Sequence, residues 1–129
     1  MSHRQTVTAP DAPAPAGPYS HAVRSGGLLF CSGQVPIDPA TGALVEGSIG
    51  DQARQCLENL TTVCRQAGVS LGDAVRMAIY VTDISTFAEV NEVYGSYFES
   101  DPPARTTIGV AALPGGAQIE MDAIVALAD

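Results

Sequence analysis

One guanidinium, two carboxylates, a phenol and a small-residue strand end are the groups in this chain whose types and spacing suit shared chemistry. Arg105 follows Pro102, Pro103 and Ala104, so a rigid approach delivers it to the first position of a strand. A planar five-donor fork held there suits bidentate capture of a carboxylate. Glu120 opens the final strand on the face opposite Ile119 and Met121, and Asp122 shares its face about 7 Å further along. Two such neighbours raise one pKa toward a value useful for moving protons. Tyr19 in GPYS adds a phenol, and Ser32-Gly33 a strand end where glycine lets a ligand approach the backbone. Taken singly, each pattern is more commonly ordinary structure: a solvated arginine, a polar strand face, a turn aromatic, a strand terminus.

Elements must bring these groups together. An extended start over 5–8 leads into the proline-rich arm APDAPAPAGP, where φ is fixed and helix blocked. Strands are expected over 19–23 and 28–33 around a Gly26-Gly27 turn, and PIDPATGALV has the turn chemistry of a hairpin or loop. Ser48 and Asp51 form a capping-box-like start. Ile49, Ala53, Cys56, Leu57, Leu60, Val63, Cys64 and Ala67 then share one helical face until Gly68. Over 74–82 the pattern alternates, with Val75, Met77, Ile79 and Val81 on one face and Ala74, Arg76, Ala78 and Tyr80 on the other. Thr86 and Glu89 are read as capping a second helix with the stripe Phe87, Val90, Tyr94, Tyr97 and Phe98, stopped by Asp101-Pro102-Pro103. Strands over 105–112 and 118–127 flank the turn LPGG. The order β-β-α-β-α-β-β describes an α+β domain spanning 1–129. Two helices cover one face of such a sheet, leaving Ala78, Tyr80, Ile124 and Ala126 for a neighbouring subunit to cover.

Composition removes several function classes. Six basic against 14 acidic residues give a net charge of -8, which repels phosphate backbones, so no nucleic-acid partner is expected. All six basic residues are arginine, which excludes a lysine Schiff base and a P-loop lysine. Cys56 and Cys64 lie about 12 Å apart along one helix, too far for a disulfide. With Cys31 they read as buried thiols in a reducing compartment. His3 and His21 are too few and too scattered for zinc, so no metal or other cofactor is expected. The opening MSHRQTVTAPDAPAPAG lacks an apolar leader, and no long apolar run follows. A cytoplasmic protein without a membrane partner is therefore expected.

The segments GPYSHAV, FCSGQVPIDPATGALV, FAEVNEVYGSYF and PPARTTIGVAALPGGAQIEMDAI resemble, in order and spacing, the Rid (YjgF) family of reactive-intermediate deaminases across nearly the whole chain. The most specific feature is Pro-Ala-Arg, followed at family spacing by Leu-Pro and Ile-Glu-Met. The resemblance implies a chorismate-mutase-like α+β fold, a homotrimer whose sheets form a central barrel, and clefts at the subunit interfaces. It implies hydrolytic deamination of 2-imino or enamine acids, such as 2-iminopropanoate and 2-iminobutanoate, to 2-oxo acids and ammonia. On this likeness Arg105 grips the substrate carboxylate, Glu120 positions water and Tyr19 is the cleft tyrosine. Ser32, Gly33, Asn91 and Thr107 match positions around the family site.

Two residues depart from the pattern. Thr107 stands where several relatives have Cys, which removes thiol chemistry there, and His21 stands where Gln is usual, which leaves substrate preference open. Other functions fit the same features: a non-catalytic trimer that binds a carboxylate ligand, an endoribonuclease or translation inhibitor, and a chaperone-like holdase.

Overall fold

The computed structural model describes residues 3–128. Its strands are β1 (Gln5–Val7), β2 (Ala22–Ser25), β3 (Leu28–Gln34), β4 (Ile37–Asp38), β5 (Ala43–Leu44), β6 (Ala74–Val81), β7 (Ala104–Gly109) and β8 (Ile119–Ala126). Its α-helices are α1 (Ile49–Gln66) and α2 (Phe87–Gly95). Six strands form one sheet in the order β1-β2-β3-β8-β6-β7, and β4 pairs with β5 as a separate hairpin. All pairings in the main sheet are antiparallel except β6 with β7, which are joined through α2 and run parallel.

The expected core forms as its periodicity requires. The Ser48 Oγ accepts from the Asp51 N–H at 3.1 Å, and the Asp51 carboxylate accepts from the Ser48 N–H at 3.2 Å. This closes the capping box that starts α1. Ala53, Cys56, Leu57, Leu60, Val63 and Cys64 on α1 are fully enclosed against Met77, Ile79, Ile119, Met121 and Val125 of the sheet. The two glycines between β2 and β3 both take positive φ, 61° at Gly26 and 81° at Gly27. Such a turn matches the twist of the strands it joins.

Four expectations need correction. Residues 19–21 are not in a strand, because their groups are used by the arm: the Tyr19 N–H donates to the Gly17 carbonyl and the His21 ring is bonded to residues 9 and 13. In β6 the alternation breaks. Ala74 pairs with Val125 and Arg76 with Ile124, so Val75 is an extra, bulged residue and lies exposed instead of in the core. Helix α2 ends at Gly95, and neither predicted cap serves it. The Thr86 hydroxyl donates to the Asp83 carbonyl, while the Glu89 carboxylate accepts at 2.9 Å from the Gly50 N–H at the start of α1. That contact ties the two helices together at a terminus where an anion is favoured. Finally, β7 stops at Gly109, short of the expected 112.

The sheet face away from the helices carries Phe30 and Ile108, both more than 40% exposed, beside partly covered Ile124 and Ala126. Ala78 is already enclosed within the chain, and the Tyr80 hydroxyl donates to Asp122 at 2.9 Å. Leu60→Ala is expected to cost about 2–5 kcal/mol in urea unfolding, as a buried leucine truncation does, whereas Val75→Ala stays within about 0.5 kcal/mol. Equal losses for the two would place Val75 back in the core.

Candidate functional site

A cleft of about 690 Å³ opens beside the end of β3. Tyr19, Ser32, Gly33 and Glu120, four of the seven residues picked from the sequence, line it together with His21. The β3–β8 register shifts between Cys31 and Gln34, so Ser32 and Gly33 fall in a bulge that turns the backbone toward β8. A Cβ on Gly33 would stand 2.2 Å from the Glu120 Oε2. Only glycine leaves this carboxylate its place. Ser32 is held by its own bonds, its N–H donating to the His21 carbonyl at 3.0 Å and its hydroxyl to the Ser20 carbonyl at 2.6 Å.

His21 fixes the opposite wall. The Ala9 N–H donates to its Nδ1 at 3.0 Å, and its Nε2 lies 2.8 Å from the Pro13 carbonyl. An amide N–H only donates and a carbonyl only accepts, so both bonds are made by the neutral ring with hydrogen on Nε2. The Tyr19 hydroxyl accepts from the Ala16 N–H at 3.0 Å. Two aromatic side chains thus pin a proline-rich arm that lacks regular structure.

The remaining three residues lie elsewhere. Arg105 stands opposite Met77 in the β6–β7 register and so faces the helices. Its guanidinium lies over the ring of Tyr94 at 4.7 Å and of Phe87 at 5.5 Å, a cation held between aromatic faces. Asn91 Oδ1 and the Tyr94 hydroxyl on α2, and Thr107 Oγ1 two residues beyond Arg105 on β7, are buried without a hydrogen-bond partner. Such groups are rare unless a ligand or neighbouring chain completes them. Glu120 pairs with Tyr80 and alternates with enclosed Ile119 and Met121, so it faces away from the helices. Within one chain, Arg105 and Glu120 are separated by β6, roughly 10 Å of strand spacing, and by the sheet itself.

Burial, and secondarily the nearby Asp122, raises the Glu120 carboxyl above its ordinary pKa. A raised value makes the ionised form a stronger base. Burial also pushes the Tyr94 phenol up, against the opposing pull of the Arg105 charge. The cysteines take no part: all three are buried and free, and Cys31 and Cys64 interact between β3 and α1.

A sequence profile described as Endoribonuclease L-PSP matches residues 9–127. The chain belongs to the Rid family, also called YjgF or RutC. It is 40% identical to mouse 2-iminobutanoate/2-iminopropanoate deaminase over 94% of its own length and 90% of the mouse protein. The Rid family protein YyfA of Yersinia pestis superposes with a TM-score of 0.93 at 41% identity, covering 96% of this chain and 99% of that one. E. coli TdcF with bound serine does so with a TM-score of 0.89 at 35% identity, over 96% and 99%. The Rid fold expected from sequence, an α+β sheet with two helices on one face, is therefore the observed one.

Sequence reasoning missed Phe87 and Tyr94 as partners of Arg105, since both read as a core stripe, and it missed the buried Asn59. The Asn59 side chain donates to the Ile37 carbonyl at 2.9 Å and so anchors the β4–β5 hairpin to α1. A polar residue on an otherwise apolar helix face was the available signal.

Two outcomes follow for this Rid chain. Because the folded-state pKa of Glu120 is raised, the folded protein keeps a proton that the unfolded chain has lost, and stability falls as pH rises from the ordinary carboxylate value to the folded one. Glu120→Gln is expected to unfold at higher temperature than wild type above that window, with the gap closing below it; a pH series of thermal melts checks this, and a constant gap contradicts it. Gly33→Ala is expected to displace the Glu120 carboxylate while leaving the circular dichroism spectrum unchanged. A crystal structure of the variant checks this, and a Glu120 side chain left in its wild-type position contradicts it.

Proposed function

We propose that the chain is a hydrolytic deaminase of 2-imino and enamine acids that works as a homotrimer, with each active cleft completed by two copies. The observation that carries this reading is the division of the site. One face of the sheet presents a carboxylate in a cleft with no cation among its lining residues, and the other presents a guanidinium stacked on aromatic rings on the side where buried polar groups lack partners. A head-to-tail contact that closes into a ring joins the one to the other three times over. The exposed apolar sheet face, with Phe30 and Ile108, supports such an assembly. So does the identity with the mouse deaminase, and the serine held by TdcF has the carboxylate this chemistry needs.

In this reading Arg105 of one copy fixes the substrate carboxylate by a bidentate contact. Glu120 of the next, ionised, takes a proton from water as the oxygen attacks C2 of the protonated imine. The C2–N double bond becomes single, giving a carbinolamine. Glu120 returns its proton to the nitrogen, and the C2–N bond breaks as the C2–O bond becomes a carbonyl. The hydroxyl proton passes to the departing ammonia to give ammonium, and a 2-oxo acid and an ionised Glu120 remain. Desolvation strengthens Glu120 as a base, and general acid/base catalysis contributes on the order of 100 to 10,000-fold. Ser32 and Gly33 supply backbone at the reacting centre, with Asn91 and Thr107 on the arginine side. The reaction requires no metal or other cofactor and suits a cytoplasmic setting, where the three thiols stay reduced. The net charge of -8 weighs against RNA as the substrate.

Arg105→Ala and Arg105→Lys test the reading. Losing two charge-assisted hydrogen bonds at about 1.5–3 kcal/mol each predicts a fall of roughly 100-fold or more in kcat/KM. The assay generates 2-iminopropanoate in situ with an amino-acid oxidase and traps the remaining imine with semicarbazide. A folded Arg105→Ala variant that clears imine at the wild-type rate would remove the arginine from the site.

A further inference from the structure

We infer that Phe87 and Tyr94 are positioning residues that hold Arg105 ready for a substrate carboxylate while leaving its N–H donors free. This deepens the proposed deamination and rests on it. Both residues belong to α2 and lie seven positions apart, which puts them on one helix face about 10.5 Å from each other along the axis. The Arg105 guanidinium fills that interval, 5.5 Å from the centroid of the Phe87 ring and 4.7 Å from that of Tyr94. Tyr94 is the fixed member, 6% exposed, with its ring packed on Phe98 at 4.7 Å between centroids. Phe87, the first residue of α2, is the open member at 42% exposed. The whole contact is made within one chain and does not depend on a neighbouring copy.

The strand positions beside this slot show what would ordinarily fill it. Arg105 and Thr107 stand opposite Met77 and Ile79, both apolar and fully enclosed. A charge can be held at such a place by an acid or by rings, and the two differ in what they leave available. A carboxylate would accept the in-plane N–H groups and compete with a substrate for the planar fork. Ring faces attract the cation through their quadrupole and take no donor from it. Glu89, the acid of α2 closest in sequence to Phe87, gives its carboxylate to the Gly50 N–H instead. Among the described residues, Arg105 has the two ring contacts and no ion pair. A long side chain that must be immobilised as its ligand arrives lowers affinity by roughly two- to twelvefold. The rings impose that order in the free protein. Because the carboxylate is gripped alike in the bound substrate and the transition state, losing a ring acts on KM and not on kcat.

Phe87→Leu and Tyr94→Leu each remove one ring, while Tyr94→Phe keeps the ring and removes only the hydroxyl. Titration calorimetry with pyruvate, the 2-oxo acid product of 2-iminopropanoate, reads carboxylate capture without turnover, and imine clearance gives kcat and KM. Native mass spectrometry confirms that variants and wild type are compared in the same assembly. Each leucine variant is expected to raise the pyruvate Kd and the KM together by about threefold or more with kcat little changed. Tyr94→Phe is expected to restore what Tyr94→Leu loses. Phe87→Leu changes an exposed side chain and keeps the test open if Tyr94→Leu fails to fold. Wild-type protein that binds pyruvate but clears no imine would overturn the deaminase reading and leave the Kd ratios to decide the role of the rings. Leucine variants with the wild-type Kd, a loss confined to kcat, a Tyr94→Phe variant as weak as Tyr94→Leu, or wild-type protein that does not bind pyruvate overturns the inference.

Discussion

A six-stranded sheet has two faces, and this chain has helices for only one of them. Arg105 takes the helix side of the edge strand β7, where Tyr94 and Phe87 flank its guanidinium. Glu120 takes the other side of β8, against the glycine of a bulge. The alternation of side chains along each strand fixes this division as firmly as the core itself, because a one-residue slip would put Ile119 and Met121 in place of Glu120 and expose the core. The proposed head-to-tail ring follows from the same constraint, since it brings the guanidinium of one copy to the carboxylate of the next and covers apolar sheet surface as it does so.

The cleft depends on contacts between segments distant in sequence. A proline-rich arm has no hydrogen-bonded ladder of its own along residues 9–19, so its position rests on the His21 ring and the Tyr19 hydroxyl. The hairpin opposite is only two short strands, too small to hold itself, and it borrows order from Asn59 on α1. His21 thus has an architectural part, holding the arm to the sheet.

Much of the fold was legible because it is written in local patterns. The capping box at Ser48 and Asp51, the apolar face of α1 and the alternation of β8 each follow from residues a few positions apart. What stayed hidden depends on partners far away in the chain. Nothing near Val75 marks it as a bulge, since its pairing is set by β8 some fifty residues on. Glu89 sits where a capping residue of its own helix would, yet Gly50 is the partner its carboxylate finds. Tyr19, Ser32, Gly33 and Glu120, picked by type and by family pattern, line one cleft, but the placement of Arg105 on the other face of the sheet was not drawn from the sequence, although the strand alternation of Arg105 and Glu120 already contained it.

The central claim is that one cleft needs Arg105 from one copy and Glu120 from another. Mixing Arg105→Ala with Glu120→Gln subunits under conditions that exchange chains tests it directly, with mixed assemblies verified by native mass spectrometry. Each variant alone is expected to be nearly inactive. In an equimolar random mixture, about a quarter of the clefts regain both groups, so imine clearance should recover to roughly that fraction of wild type. Verified mixed assemblies that remain as inactive as the separate variants would contradict a site shared between copies.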